Sequence, residues 1–130
     1  MNKEQYVSFK VAKLLKEKGF DWEVRSLYGN YQQDLGFSSW SNNYNAYDDL
    51  YSAPTQQMAC SWFRKEHKIH ITTEPLEMFK QERIVYEPII YLLNDFDDFE
   101  LEYKTVHLKE CDTNEDAVEA ALTYVLNKLI

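Results

Sequence analysis

Residues 52–71 read Ser-Ala-Pro-Thr-Gln-Gln-Met-Ala-Cys-Ser-Trp-Phe-Arg-Lys-Glu-His-Lys-Ile-His-Ile, and this stretch decides the predicted fold. Its first part carries apolar residues at helical spacing, namely Met58, Ala59, Trp62 and Phe63. Its last part alternates isoleucine with polar residues, which is typical of a half-buried strand. A helix followed directly by a strand indicates a fold that mixes the two kinds of element.

The proline in this stretch predicts where the helix begins. Proline suits the first turn of a helix because its missing N–H would be unpaired there, and the residue before a proline favours extended backbone. We therefore expect Ser52 or Ala53 to cap the helix and Pro54 to lie in its first turn. Basic residues gather near His67, where the helix is expected to end, because cations are favoured at its negative end.

A helix and a strand are predicted before this stretch. The apolar positions of the helix are Val7, Val11, Leu14 and Leu15, with lysines on the opposite face. Gly19 is the expected stop, because glycine accepts a left-handed backbone. Residues 20–28 then alternate as a half-buried strand. A short second strand is expected near residues 32–37, and the rest of 30–50 is expected to be a long loop.

Three strands are predicted from residue 69 onward, the first of them beginning within this stretch. They cover residues 69–73, 83–93 and 101–108. Residues 74–81 are expected to connect the first two, and residues 94–99 are expected to form an acidic turn. Pro88 cannot donate a hydrogen bond to a neighbouring strand, so its strand should be an edge strand or be bulged at that point.

The clearest helix is predicted at the C-terminal end. Asp112 or Thr113 is the expected cap, and Glu115 and Asp116 suit the positive end of a helix. The core face of this helix should consist of Val118, Ala121, Leu122, Val125 and Leu129. The predicted order is α-β-(β)-α-β-β-β-α, which indicates one two-layer α+β domain over residues 1–130, with three helices and a mostly antiparallel sheet of four to five strands.

The net charge of −8 is concentrated at the C-terminal end of the chain. Residues 84–130 hold eleven acids against three lysines, whereas residues 1–28 carry six Lys and Arg against four acids. A nucleic-acid binder gains most of its affinity by neutralising phosphates, so this balance argues against direct nucleic-acid binding. An acidic inhibitor that imitates nucleic-acid charge stays open. The acids that would form its surface are Asp95, Asp97, Asp98, Glu100 and Glu102.

The cysteines and the N-terminal residues indicate a cytoplasmic protein. Cys60 and Cys111 are fewer than the paired cysteines typical of a small secreted domain. The first residues lack the basic and apolar regions of a signal peptide. No apolar run reaches the roughly 18 residues that a membrane span requires, so we expect no membrane partner.

No catalytic, metal-binding or cofactor-binding residue is predicted, although two features suggest chemistry. His67 and His70 raise the alternative of a small metal-dependent hydrolase, but they fall on a helix end and on a strand, and His107 is the only other histidine. Cys60 precedes His67 by seven residues, about two helical turns, so it is interpreted as a packed structural thiol.

Aromatic side chains on a polar background form the candidate binding site. The chain holds 10 Tyr, 7 Phe and 3 Trp, and several of them lie in the polar segment before the central helix. The binding candidates are Tyr31, Phe37, Trp40, Tyr44 and Tyr47. Tyr and Trp rings supply contact area at low entropic cost, as in binding loops. The alternative is that these rings hold a long loop against the sheet.

Several segments share a pattern with a known group of proteins. They are residues 51–56 (Tyr-Ser-Ala-Pro-Thr-Gln), 62–67 (Trp-Phe-Arg-Lys-Glu-His), 69–71 (Ile-His-Ile), 115–122 (Glu-Asp-Ala-Val-Glu-Ala-Ala-Leu) and 6–9 (Tyr-Val-Ser-Phe). In these segments the chain resembles small uncharacterised proteins that are encoded by gut bacteria of the Bacteroides group and by their phages and mobile elements. The resemblance covers both ends and the centre of the chain.

The chain departs from that group at Asn114, where a tyrosine is expected, and over residues 29–50. The group brings no established activity, so the resemblance implies a genomic setting and a fold rather than a reaction. We expect a non-enzymatic accessory protein of a phage or mobile element that works by binding another protein. The acidic inhibitor and the metal-dependent hydrolase are the alternatives.

Overall fold

A computed structural model describes residues 5–30, 34–78, 82–97 and 102–130. Its helices and strands, with the short 3-10 and π helices marked, are α1 (Phe9–Glu17), β1 (Val24–Gly29), β2 (Gly36–Asn42), a 3-10 turn (Tyr44–Ala46), β3 (Leu50–Ser52), α2 (Gln56–Trp62), a π turn (Phe63–His67), β4 (Ile69–Met78), β5 (Arg83–Asp97), β6 (Glu102–His107), α3 (Asn114–Tyr124) and a π turn (Val125–Leu129). Within these residues, no helix has the length and apolar character to cross a membrane.

The strands of the described residues form two antiparallel sheets, with the orders β2-β1-β3 and β4-β5-β6. Three helices with antiparallel sheets confirm the predicted α+β class. The expectation of one sheet of four to five strands is wrong, because β3 pairs with β1 and completes a separate sheet before α2 begins. β3 has only three residues, Leu50–Ser52, which are too few to show an alternating pattern.

The first sheet begins later in the chain than its alternating pattern indicates. The predicted second strand is present as β2 and pairs antiparallel with β1, but β1 starts at Val24 and β2 spans Gly36–Asn42 instead of residues 32–37. Phe20, expected in the strand, is buried in the core, where its ring packs 5.4 Å from that of Trp62. Packing against α2 therefore takes precedence over strand pairing at this position.

The first helix has the predicted stop at Gly19. The Ser8 side chain accepts the Val11 N–H at 3.2 Å and caps the helix start. At the other end, Gly19 has a φ of 89°, and the Phe20 N–H donates to the Leu15 carbonyl at 3.0 Å. This left-handed termination satisfies carbonyls that the helix end leaves without partners.

The central helix begins later than the proline predicts. Thr55 is the cap, and its side chain accepts the Met58 N–H at 3.1 Å. Neither Ser52 nor Ala53 caps the helix. Ser52 is part of β3, and the Ala53 N–H donates to the Ser26 backbone carbonyl at 2.9 Å. Pro54 consequently lies before the cap. The predicted end near His67 is confirmed, since the π turn stops there and Lys68 adopts a left-handed backbone with a φ of 56°.

The second sheet is built on a long β4–β5 hairpin. β4 continues to Met78 in unbroken register with β5, so residues 74–78, expected in a connection, are strand. Pro75 lies opposite Tyr86 on β4, which is an edge strand of this sheet. Because an edge strand has one unpaired side, it tolerates a proline. β5 runs on to Asp97, so residues 94–97, expected in the acidic turn, are strand, and residues 98 and 99 lie outside the described residues.

Pro88 lies on a central strand, which contradicts the edge-strand expectation. The Tyr86 N–H donates to the Cys111 carbonyl at 2.8 Å, on the side of β5 that faces β6. Backbone groups two residues apart in a strand face the same side, so the Pro88 nitrogen also faces β6. On that side Ile89 pairs with His107, and Tyr86 pairs with Cys111. The three residues 108–110 therefore lie opposite only Glu87 and Pro88 of β5. The irregularity that accommodates the proline is therefore in the opposing chain.

A cluster of buried side chains joins both sheets to the helices. The predicted core face of α3 is partly confirmed, because Ala121, Leu122 and Val125 are buried, while Ala117 and Leu126 replace Val118 and Leu129 as the remaining buried positions. Thr113 caps this helix, as one of the two predicted alternatives, by accepting the Asp116 N–H.

Glu119 of α3 fixes the other two helices. Its carboxylate accepts the Ser8 N–H at 2.9 Å and the Gln56 amide at 3.2 Å. These groups lie at the starts of α1 and α2. A carboxylate at the positive end of a helix is favourable, so this side chain sets how the helices meet.

We expect Gly19→Ala to destabilise the fold by about 1 kcal/mol, because alanine is strained at a positive φ. Gly36→Ala is the matched control, since a Cβ there would meet only the Leu27 carbonyl oxygen at an ordinary 3.7 Å. Urea denaturation of both variants measures the free energy of unfolding. Equal stabilities of the two variants would contradict this account of the α1 termination.

Candidate functional site

The structure separates the aromatic candidates into exposed and buried rings. Phe37, Trp40 and Tyr47 are exposed, with 65%, 78% and 52% of their surfaces accessible. Tyr44 is buried, with 8% accessible. Tyr31 lies outside the described residues. We call the three exposed rings of Phe37, Trp40 and Tyr47 the aromatic surface.

A bulge in β2 explains why Trp40 is exposed. Val24 pairs with Asn42 and Ser26 pairs with Phe37, so the residues 38–41 all lie opposite the single residue Arg25. Extra residues bend a strand away from its partner and redirect its side chains. Within the bulge, the Trp40 N–H donates to the Ser38 hydroxyl at 3.1 Å.

Tyr44 connects the backbone of the aromatic surface to the core. Its hydroxyl donates to the Trp40 carbonyl at 2.6 Å, and its N–H donates to the Ser52 hydroxyl at 3.1 Å. The ring belongs to the buried core cluster. Tyr44 therefore matches the alternative interpretation, in which a ring holds the loop against the sheet.

Asn45 fixes the same segment from the other side. Its amide oxygen accepts the Ser52 N–H at 2.8 Å, and its amide nitrogen donates to the Phe20 carbonyl at 2.9 Å. Asn43 caps the 3-10 turn by accepting the Asn45 N–H at 3.1 Å. In the sequence these asparagines were predicted only to be part of a polar loop. The preference of asparagine for caps and turns is the one local pattern that could have indicated their role.

Lys16 of α1 also holds this segment, although the helical pattern placed it on a solvent face. Its ammonium donates to the carbonyls of Tyr47 at 2.5 Å and Leu50 at 2.8 Å. It also lies 4.7 Å from the centre of the Tyr51 ring, which is within range of a cation–π interaction. No local sequence pattern could have identified a contact between residues so far apart in the chain.

The segment that carries the aromatic surface contains three aspartates and no cation of its own, while Lys16 of α1 and Arg25 of β1 lie beside it. Asp34, Asp48 and Asp49 are exposed, and residues 29–63 contain no Lys, Arg or His. Phe37 is partly supported by Tyr6, whose ring meets it edge-on at 5.4 Å. The arrangement presents apolar rings beside carboxylates.

The histidines of the hydrolase alternative have separate surroundings. The His67 ring packs edge-on against Trp62 at 4.9 Å. His70 is on β4, where its Nδ1 accepts the Arg64 Nε–H at 3.2 Å. His107 contacts Glu87 at 2.6 Å. Among the described residues, no group of three or more His, Cys, Asp or Glu side chains is placed to hold a metal ion.

Cys60 lines a polar groove of about 240 Å³ between the starts of α2 and α3. Gln56 closes one side of this groove, where its amide donates to the Glu115 carbonyl at 3.0 Å. Burial raises the pKa of the Cys60 thiol to about 11, and the nearby Arg64 cation only partly opposes this. A thiol with a raised pKa is a poor nucleophile at neutral pH.

Only some of the acids of the inhibitor alternative lie in the described residues. Asp95 and Asp97 lie in the last part of β5, and Glu102 begins β6. Asp98 and Glu100 are outside the described residues.

Comparison with protein-family models, with curated proteins and with solved structures gives no match to this chain. The functional reading therefore depends on the geometry of the chain itself.

We expect Cys60 to react slowly with iodoacetamide at pH 8. A thiol pKa near 11 leaves about 100-fold less thiolate than an ordinary thiol has, and only the thiolate reacts. Mass spectrometry of a tryptic digest follows the rate against pH, with the urea-unfolded chain as the control. A native rate equal to the unfolded rate would contradict the structural interpretation of this thiol.

Proposed function

We propose that this chain is a non-enzymatic accessory protein that binds another protein through the aromatic surface. The observation that carries the proposal is the exposure of Phe37, Trp40 and Tyr47 on a segment fixed by hydrogen bonds. Phe37 is on β2, Trp40 lies in its bulge and Tyr47 directly follows the 3-10 turn, so the three exposed rings belong to one short segment of the chain.

Fixed rings favour binding for two reasons. Trp and Tyr are enriched among the residues that dominate interface energies, because they fill partner pockets with large, rigid side chains. A segment that is already ordered loses little conformational entropy on association. The hydrogen bonds of Tyr44, Asn45 and Lys16 supply that order here.

The charge beside the rings defines the partner's chemistry. Asp34, Asp48 and Asp49 lie in the same segment as the rings and outnumber the two cations beside that segment, Lys16 and Arg25. Complementary charge speeds association and selects among partners. The partner therefore presents an apolar pocket with lysine or arginine at its rim.

The bulge determines how that partner binds. A regular edge strand invites a partner to add a further strand, but a bulge disrupts the row of backbone groups that such pairing needs. Residues 38–41 form such a bulge on the edge strand β2. Binding thus proceeds by insertion of the Trp40 ring into a pocket.

The resemblance in the flanking segments supplies the setting of this proposal. It implies a phage or mobile element of gut bacteria, and with it a partner in the bacterial cytoplasm. Residues 29–50, which include the three rings, are where the chain departs from that group. A surface in the divergent segment suits a protein whose partner is particular to its own host.

The test begins with a photo-crosslinking residue at Ser39, an exposed position beside Trp40. Cells that express this chain are irradiated, and the partner is identified from the adduct. The affinity of the purified pair is then measured for Trp40→Ala and for Ile84→Ala, which removes an exposed apolar side chain, 51% accessible, from β5. We expect Trp40→Ala to weaken binding at least about 30-fold, as for a dominant interface residue, and Ile84→Ala to leave it unchanged.

Added salt should slow the association of the wild-type pair, because opposite charges guide the encounter. Equal affinities of the two variants, or an association rate independent of salt, would overturn the proposal. So would self-association of the chain that Trp40→Ala abolishes, because the occupant would then be a second copy.

A further inference from the structure

Three exposed cations follow α2, in a chain whose net charge is −8, and one of them, Lys65, lies 5.8 Å from the centre of the Trp22 ring. Arg64, Lys65 and Lys68 are exposed, and Glu66 is the only acid between them. Within the described part of the chain, none of these three cations forms an ion pair. With three cations against one acid, the end of this helix is locally positive.

Arg64 is oriented by His70. The Arg64 Nε–H donates to His70 Nδ1 at 3.2 Å, which requires that the neutral imidazole carries its proton on Nε2. No other hydrogen bond of the guanidinium to the described residues is present, so its remaining N–H groups are available to a ligand. A guanidinium fixed at Nε keeps the fork that binds phosphate in a two-point manner.

Tyr91 continues this row of donors across the sheet. His70 pairs with Tyr91, and Tyr91 pairs with Thr105, so the three side chains point to one face. The His70 and Tyr91 rings lie 5.9 Å apart. The Tyr91 hydroxyl has no acceptor among the residues that the structure describes.

Compensation of the helix dipole does not by itself explain the orientation of Arg64. A cation at a helix end interacts with the dipole wherever its side chain points, so the dipole alone does not hold the guanidinium in one orientation. Arg64 instead donates to an imidazole on the following strand. Burial, and then the Arg64 cation, lower the pKa of His70 below its ordinary value. An arrangement that disfavours the charged imidazole is relieved when an anion binds beside it.

We infer that Arg64, His70 and Tyr91 form a binding site for a single phosphate monoester group, separate from the aromatic surface. The three side chains offer guanidinium, imidazole and phenol donors, and a phosphate supplies the acceptor oxygens. One terminal phosphate fits this small site better than a nucleic-acid backbone, because a phosphodiester polymer requires many contacts and this chain is acidic overall.

The test follows the imidazole resonances of the full-length protein by NMR while inorganic phosphate replaces chloride at constant ionic strength. We expect a saturable shift of the His70 resonances and a His70 pKa that is higher in phosphate than in chloride. His107 is the internal control, because it is exposed and already contacts Glu87. Its resonances should not follow the same saturation curve.

Variants connect the binding to the proposed side chains. Arg64→Ala should weaken phosphate binding at least about tenfold, and Arg64→Lys should give an intermediate affinity because lysine lacks the planar fork. Tyr91→Phe should weaken binding without changing the fold, which the amide spectrum checks. Phenyl phosphate and a short single-stranded DNA serve as monoester and diester probes, and only the monoester should compete with inorganic phosphate.

Several results would overturn this inference. They are a shift that never saturates, an unchanged affinity in Arg64→Ala, a parallel response of His107, and tighter binding of the DNA with a steep dependence on salt. The outcome does not depend on the aromatic surface, because Trp40→Ala should bind phosphate with the wild-type affinity.

Discussion

The hydrogen bond from the buried Tyr44 hydroxyl to the Trp40 carbonyl is the constraint on which the functional account depends. It connects the core to the bulge of β2, so the exposed ring of Trp40 lies on a backbone that is attached to a buried ring. Asn45 and Lys16 fix the backbone that follows. Without these contacts the exposed rings would lie on a mobile loop, and binding would carry the entropic cost of ordering that loop.

Most helices and strands could be predicted because they depend on local patterns. Gly19 and Thr113 mark helix ends through chemistry that acts within one turn. The errors occurred where distant parts of the chain decide the structure. Ser52 joins a strand because β1 is its partner, and Pro88 occupies a central strand because the opposing chain is irregular there. Neither effect has a signature in the local sequence.

The candidate site was predictable as a region but not as a set of side chains. An aromatic-rich polar segment indicated binding, yet composition cannot distinguish Trp40, which is exposed, from Tyr44, which is buried four residues later. That difference arises from the extra residues of the β2 bulge and from the hydrogen bonds of Ser52. The charge pattern was equally uninformative about Arg64, because its orientation is set by His70 on the next strand.

Amide hydrogen exchange by NMR tests the central claim, that the segment behind the aromatic surface is ordered before any partner binds. The N–H groups of Tyr44 and Ser52 should exchange as slowly as those of β1, and Tyr44→Phe should accelerate them while Tyr47→Phe does not. Exchange of these N–H groups at the rate of an unstructured chain in the wild-type protein would contradict the account.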